Sequence, residues 1–200
     1  LFLTSAVTFL ARPILNFGIS RAAMPLESLA VWPVVMSVLF MFRALSLAYQ
    51  EVVVALLKQG ARKRRLASFA GILASGVGAA YLLFALTPGG TFWFDTIAGL
   101  SEELLPLTFV PTLIVVSMPV VSAFISWFRG LFIYRGETGK IAKAVVVNTG
   151  SLLLMVFFLP RFFEINGAIL AAAVYSLSLI FELMFLILAN TRREAQKAEV

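Results

Sequence analysis

ESLAVWPVVMSVLFMFRALSLAYQEVVVALL, residues 27–57, is an almost unbroken apolar run with one arginine, Arg43, near its middle. About 20 apolar residues carry a helix across a hydrocarbon core about 30 Å thick. A run of this length therefore reads as a membrane-crossing helix with a charge near mid-depth. The rest of the chain repeats the pattern. Of its 200 residues, 61% are hydrophobic and the mean hydropathy is +0.99, against about 45–50% apolar residues in a soluble domain. Apolar stretches separated by short polar ones mark six candidate helices at about 1–19, 27–57, 66–87, 104–128, 140–159 and 167–190. The expected fold class is all-α: one polytopic six-helix membrane bundle over residues 1–200, with no soluble domain.

The placement of charge tests this layout. The chain has 16 basic and 10 acidic side chains, an excess that the membrane explains better than nucleic acid does. Lys58, Arg62, Lys63, Arg64 and Arg65 flank the second connection, Arg129, Arg135, Lys140 and Lys143 the fourth, and Arg192, Arg193 and Lys197 follow the last helix. The opposite side holds only Arg21 and Arg161, a split of 12 against 2. Basic loops stay in the cytoplasm. This predicts a multi-pass protein of the plasma (inner) membrane with both ends cytoplasmic. Trp32 and Trp93 fall toward the outer face, and Trp127 and Tyr134 toward the inner one, as interfacial aromatics do. The longest connection, 88–103, has room for a short interfacial helix. Leu1 opens directly into an apolar stretch with no basic lead and no small-residue cleavage site, so the chain reads as a fragment from which an N-terminal portion is missing.

Two arginines, Arg12 and Arg43, remain inside the membrane. Each lies near mid-depth of its segment and costs about 2.5–3.5 kcal/mol there, unless water, a counter-charge or an anionic ligand compensates it. Asn16, one turn from Arg12, and Gln50, two turns from Arg43, extend the same polar faces. The simplest geometry is a hydrated cavity lined by the first two helices. Guanidinium groups present a planar fork to phosphate or carboxylate and keep their charge, so Arg12, Asn16, Arg43 and Gln50 are the candidate binding residues for a small anionic solute. Glu51 and Glu182 are the competing explanation: as salt-bridge partners they would leave the arginines a purely structural role, and either acid also suits cation coupling.

Four prolines fall inside candidate helices. Pro13, Pro33, Pro111 and Pro119 each remove a backbone donor and crowd the preceding turn, so each marks an expected bend. Gly71, Ala74, Ser75, Gly76, Gly78 and Ala80, and again Gly167, Ala168, Ala171 and Ala172, form small-residue stripes that let helices pack closely.

Enzymatic chemistry has little to work with. The chain lacks cysteine and histidine, which removes disulfides, thiolate ligands, the usual general base and the commonest metal ligand. No two intramembrane acids stand three or four residues apart, and no GxxxxGK[ST] loop occurs. No catalytic residue, cofactor or metal is expected.

Several segments resemble the MATE-like (MOP) flippase and exporter superfamily. WFRGLFIYRGETGKIAKAVVVNTG, 127–150, is similar to the passage between the fourth and fifth helices of a lobe in that superfamily, and INGAILAAAVYSL, 165–177, to the entry into the last helix. LARPILNFGISR, 10–21, resembles the start of the second lobe in the progressive ankylosis family, through Arg12-Pro13, Asn16 and Ser20-Arg21. The resemblance implies a C-terminal six-helix lobe that rocks against an N-terminal lobe around a central cavity, with Arg12 in that cavity and pyrophosphate, nucleotides or related anions as exported solutes. Arg43 matches no motif, and the cation-coupling acids of drug-exporting relatives lie on positions that find no match in this sequence, which leaves the coupling ion open. Alternatives are a flippase for a lipid-linked oligosaccharide and a noncatalytic membrane scaffold.

Overall fold

The computed structural model of the chain describes residues 10–162 and 164–198. Among these the regular structure is helical: α1 (Ala11–Ser20), α2 (Pro25–Lys58), α3 (Lys63–Leu86), a short α4 (Pro88–Phe92) running into a π-helical turn (Trp93–Ile97), α5 (Pro106–Ile114), α6 (Ser117–Tyr134), α7 (Thr138–Phe158) and α8 (Gly167–Ala198). Five helical stretches are long and apolar enough to cross a membrane: Pro25–Lys58, Lys63–Leu86, Pro106–Tyr134, Thr138–Arg161 and Gly167–Arg193. The first candidate segment, 1–19, is described only from Leu10 onward, and its residues 1–9 lie outside the described part.

Proline and glycine set the boundaries. Pro119 has no N–H to offer the carbonyl of Val115, and the chain tightens there into a Met118 N–H to Val115 O bond of 2.9 Å, which parts α5 from α6. Pro111 and Pro33 sit inside α5 and α2 without ending them. Pro13 stands in the first turn of α1, where a missing N–H deprives the helix of no bond. The segment before it, on which the expected bend depends, lies outside the described residues. Gly60 (φ 86°) and Gly136 (φ 75°) end α2 and α6 in left-handed turns. In each the following N–H reaches back five residues, Ala61 to Leu56 O (3.0 Å) and Glu137 to Phe132 O (2.8 Å), so carbonyls at both helix ends are satisfied.

Packing divides the helices into inner and outer ones. The α5–α6 and α8 stretches bury 50% of their most apolar window, whereas those of α2, α3 and α7 bury 28–33%. Val31, Val35, Val38 and Leu39 of α2 meet Met118, Ile125 and Phe132 of α6 and Ala171, Val174 and Leu186 of α8 in the main core. A smaller cluster joins Tyr49, Val53 and Leu57 of α2, Leu66 and Ala70 of α3, and Trp127 and Leu131 of α6. Trp32 and Trp127 are thus core side chains, 5% and 7% exposed, and Trp127 is packed in the smaller cluster with side chains of α2 and α3. Outward, Phe40, Leu45, Ile72, Leu83, Leu154 and Leu188 stand open.

Small residues act where backbones nearly touch. A Cβ on Gly130 would lie 2.7 Å from Val53 Cγ1 and 2.9 Å from the Gln50 carbonyl, and one on Gly78 would lie 2.8 Å from Val120. Gly71 and Gly76, in the same expected stripe, face open space.

The two ends of α8 are tied differently. At its start, Ala23 N–H donates to Ile165 O (3.2 Å) and Gly167 N–H to Ala23 O (3.0 Å), while Asn166 Oδ1 accepts from Ala168 N–H (2.8 Å) and Ser28 Oγ (3.0 Å). This clasp holds the α1–α2 turn, including left-handed Met24 (φ 52°). Near the other end, Glu137 pairs with Lys140 (2.9 Å) and Arg193 (2.5 Å), and Arg135 donates to Asn190 Oδ1 (2.7 Å). Burial pushes the Glu137 carboxyl up, but the Lys140 hydrogen bond and the charges of Lys140, Arg193 and Arg135 outweigh it and hold the group below its ordinary value.

Candidate functional site

A polar seam runs through the apolar interior where α2, α6 and α8 meet. On α6, Ser122, Ser126 and Arg129 recur at i, i+4 and i+7; on α8, Tyr175, Ser178 and Glu182 recur at i, i+3 and i+7. Both spacings keep side chains on one helical face. Into this seam α2 sends Arg43. Its Nε donates to Ser122 Oγ at 2.7 Å and its Nη1 to the Tyr175 hydroxyl at 3.2 Å, and its guanidinium carbon lies 5.6 Å from the Tyr175 ring centre. One turn on, Ser46 Oγ donates to Pro119 O at 2.8 Å, anchoring α2 to the α5–α6 break.

The partners of Arg43 are neutral. No carboxylate lies within ion-pair distance of it among the described residues. Two hydroxyls engage two of the five N–H donors that a guanidinium carries. An orienting frame of this kind leaves the charge itself unmatched.

About 10 Å further along α6, at 1.5 Å per residue, a second arginine behaves differently. Arg129 donates through Nε (2.9 Å) and Nη2 (2.5 Å) to Oε1 of Glu182, and Glu182 is 2% exposed. This pair is closed on itself. Of the three charges in the seam, Arg43 and Arg129 are positive and Glu182 negative, so one positive charge remains.

The other expected site residues stand apart from this cluster. Arg12 and Asn16 are exposed, whereas Ala11, Leu15, Gly18 and Ile19 of the same helix are buried. Arg12 has neither ion pair nor hydrogen bond among the described residues. Gln50 is half-buried, with its carbonyl against Gly130. Glu51 is exposed and unpaired among the described residues. The structure thus brings Arg43 together with Ser122 and Tyr175, and not with Arg12 or Asn16. Glu182, considered as a partner for the mid-membrane arginines, is held by Arg129, which the distribution of charge along the chain assigned to a cytoplasmic flank but which lies inside α6. Two grooves open elsewhere, one near Thr112 and one near Arg64, and neither is lined by Arg12 or Arg43. Among the described residues no three potential metal ligands converge.

Ser122, Tyr175 and Arg129 escaped the reading of the sequence. Their signal was the polar periodicity of α6 and α8, visible only when the weakly polar Ser and Tyr are counted with the charges. Two further buried groups, Ser176 Oγ and Asn148 Nδ2, have no partner among the described residues.

Among the described residues, fold and seam together define an all-helical bundle with five helical stretches of membrane-crossing length and a half-buried arginine, Arg43, that faces no carboxylate. Compared with protein-family models, characterised proteins and solved structures, the chain matches none.

Proposed function

We propose that the chain is a multi-pass membrane protein forming one lobe of an alternating-access exporter or flippase of the MATE-like kind, and that its solute is an anion bearing phosphate or carboxylate. One observation carries the reading: Arg43 is oriented by Ser122 and Tyr175 while no acid among the described residues meets its charge. An arginine inside a bilayer costs about 2.5–3.5 kcal/mol, and an anionic solute offsets that cost where a second hydroxyl does not. Apolar side chains such as Ile72 (68% exposed) and Leu83 (67% exposed) favour lipid as the surrounding medium. On this reading the basic connections, and both ends of the chain, face the cytoplasm. The exposed polar side of α1, with Arg12 and Asn16, then faces water or a second lobe, since lipid solvates neither.

The chemistry is binding and release. Arg43 offers its free N–H groups to two oxygens of the solute, and the Tyr175 hydroxyl and ring keep the guanidinium plane from swinging. No bond is made or broken.

Transport in proteoliposomes tests this. Pyrophosphate, a nucleotide and a lipid-linked pyrophosphate are offered in parallel, so that soluble and lipid-borne solutes separate. Arg43→Ala is expected to lower transport at least tenfold with insertion unchanged, and Arg43→Lys to recover part of it, since lysine keeps the charge but loses the fork. Transport by Arg43→Ala at the parent rate removes the role assigned to the seam.

The Arg129–Glu182 pair favours a second reading, a noncatalytic scaffold in which buried charge fixes helix register. In that case no soluble anion changes the thermal stability of the purified protein in a way that depends on Arg43.

A further inference from the structure

At the basic end of α3 the sequence Arg62-Lys63-Arg64-Arg65 leads into the helix, and no acid occurs between Glu51 and Asp95. Arg62, Arg64 and Arg65 line one side of an open groove of about 430 Å³, whose other walls are Ser68, Phe69 and Ile72. All three arginines are exposed and have no ion pair among the described residues. Phe69 and Ile72 are open as well, at 47% and 68%. Arg65, Phe69 and Ile72 recur at i, i+4 and i+7, so they descend one face of α3. Measured from Arg62, Phe69 lies about 10 Å and Ile72 about 15 Å along the axis.

We propose that this groove holds an anionic phospholipid, with the headgroup phosphate on the three guanidinium groups and the acyl chain along Phe69 and Ile72. The proposal rests on α3 crossing a membrane, as in the preceding reading, but not on transport. Charge decides the occupant. A zwitterionic headgroup brings an ammonium against the arginines, whereas an anionic one brings only the matching charge. The apolar floor distinguishes a lipid from a free phosphate, which gains nothing from Phe69 or Ile72. Arginine suits the site because its fork meets two phosphate oxygens at once.

The test uses the purified full chain. Flotation with phosphatidylcholine vesicles first reports membrane insertion. Thermal unfolding in detergent is then followed in an Arg43→Ala background, so that anions bound at the seam do not contribute, while phosphatidylglycerol, phosphatidylcholine or inorganic phosphate is added, because a ligand bound only by the folded state raises the midpoint. Phosphatidylglycerol is expected to raise it and the other two to leave it in place. The triple variant R62Q/R64Q/R65Q is expected to weaken apparent affinity for phosphatidylglycerol by about fivefold per arginine, on the order of a hundredfold in all. F69A/I72A is expected to weaken it with the arginines intact, and K143Q/R192Q, which removes exposed charge elsewhere, to leave it unchanged. Equal shifts from phosphatidylglycerol and phosphatidylcholine overturn the site, as does a triple variant that responds like the parent. A shift from inorganic phosphate as large as that from phosphatidylglycerol also overturns it, and so does a K143Q/R192Q variant that loses the preference. A chain that fails to float overturns the membrane reading and this site with it, whereas flotation without headgroup preference overturns this site alone.

Discussion

Arg43 and Arg129 are the same residue type in one seam, and their neighbours give them opposite characters. Arg129 has a buried carboxylate and forms a closed unit; Arg43 has two hydroxyls and keeps its charge available. Removing one member of a buried pair strands the other, at a cost of about 3–5 kcal/mol. Arg129→Ala is therefore expected to lower the unfolding midpoint in detergent sharply, and Glu182→Leu combined with Arg129→Met to restore most of it. If Arg129→Ala melts with the parent protein, the pair holds nothing together. At this scale the sequence was half legible. That Arg43 needed compensation follows from its position in an apolar run; that hydroxyls supply it does not, because Ser122 and Tyr175 lie 79 and 132 residues away and carry no charge to draw notice. Arg12 and Arg43 looked alike from depth alone, yet rotation about the helix axis sends one outward and the other into the seam.

Helices were the most legible level, since long apolar runs and their punctuation depend on local chemistry. The 27–57 run became Pro25–Lys58, and Gly60 and Gly136 ended helices through left-handed turns. The break between α5 and α6 was signalled by Pro119, whereas Pro13 falls in the first turn of α1, with the segment before it outside the described residues. A proline's effect depends on where the helix starts, and that position is set by packing. Small-residue stripes were equally ambiguous. Gly130→Ala pushes a Cβ against Val53 and the Gln50 carbonyl, and overpacking of this kind costs about 1–3 kcal/mol. Gly71→Ala meets open space, and alanine is the better helix former by about 1 kcal/mol. Denaturation in detergent is expected to show the first variant less stable than the parent and the second equal or more stable. The reverse order would mean that α2 and α6 are not in contact there.

For the molecule as a whole, the two ends of α8 are fastened by different forces. Backbone bonds and the Asn166 amide close one end without any ionised group. Glu137, Lys140 and Arg193 close the other. Because the folded state holds the Glu137 carboxyl below its ordinary value of 4.5, the stability it contributes is complete above that value and is lost as pH falls through the lowered one. Protection against hydrogen exchange, taken relative to the intrinsic rate at each pH, is expected to fall on acidification below about 4.5 at residues 135–140 and 189–193, beyond the change at residues 23 and 165–168, and Glu137→Gln is expected to abolish the difference. Equal exchange at the two ends across that range would show that the ionic contacts carry no stability. The sequence pointed to the basic character of this end through its loop charges, but it did not connect Glu137 to Arg193, which lies 56 positions away.

The Asn166 clasp has a mechanical meaning. With no proton to lose and no counter-ion to exchange, it holds across a wide range of solution conditions, while the ionic contacts at the Arg193 end are ones the surrounding solution can weaken. Acid or added electrolyte is therefore expected to loosen the contacts around Arg193 and to leave those around Asn166 in place.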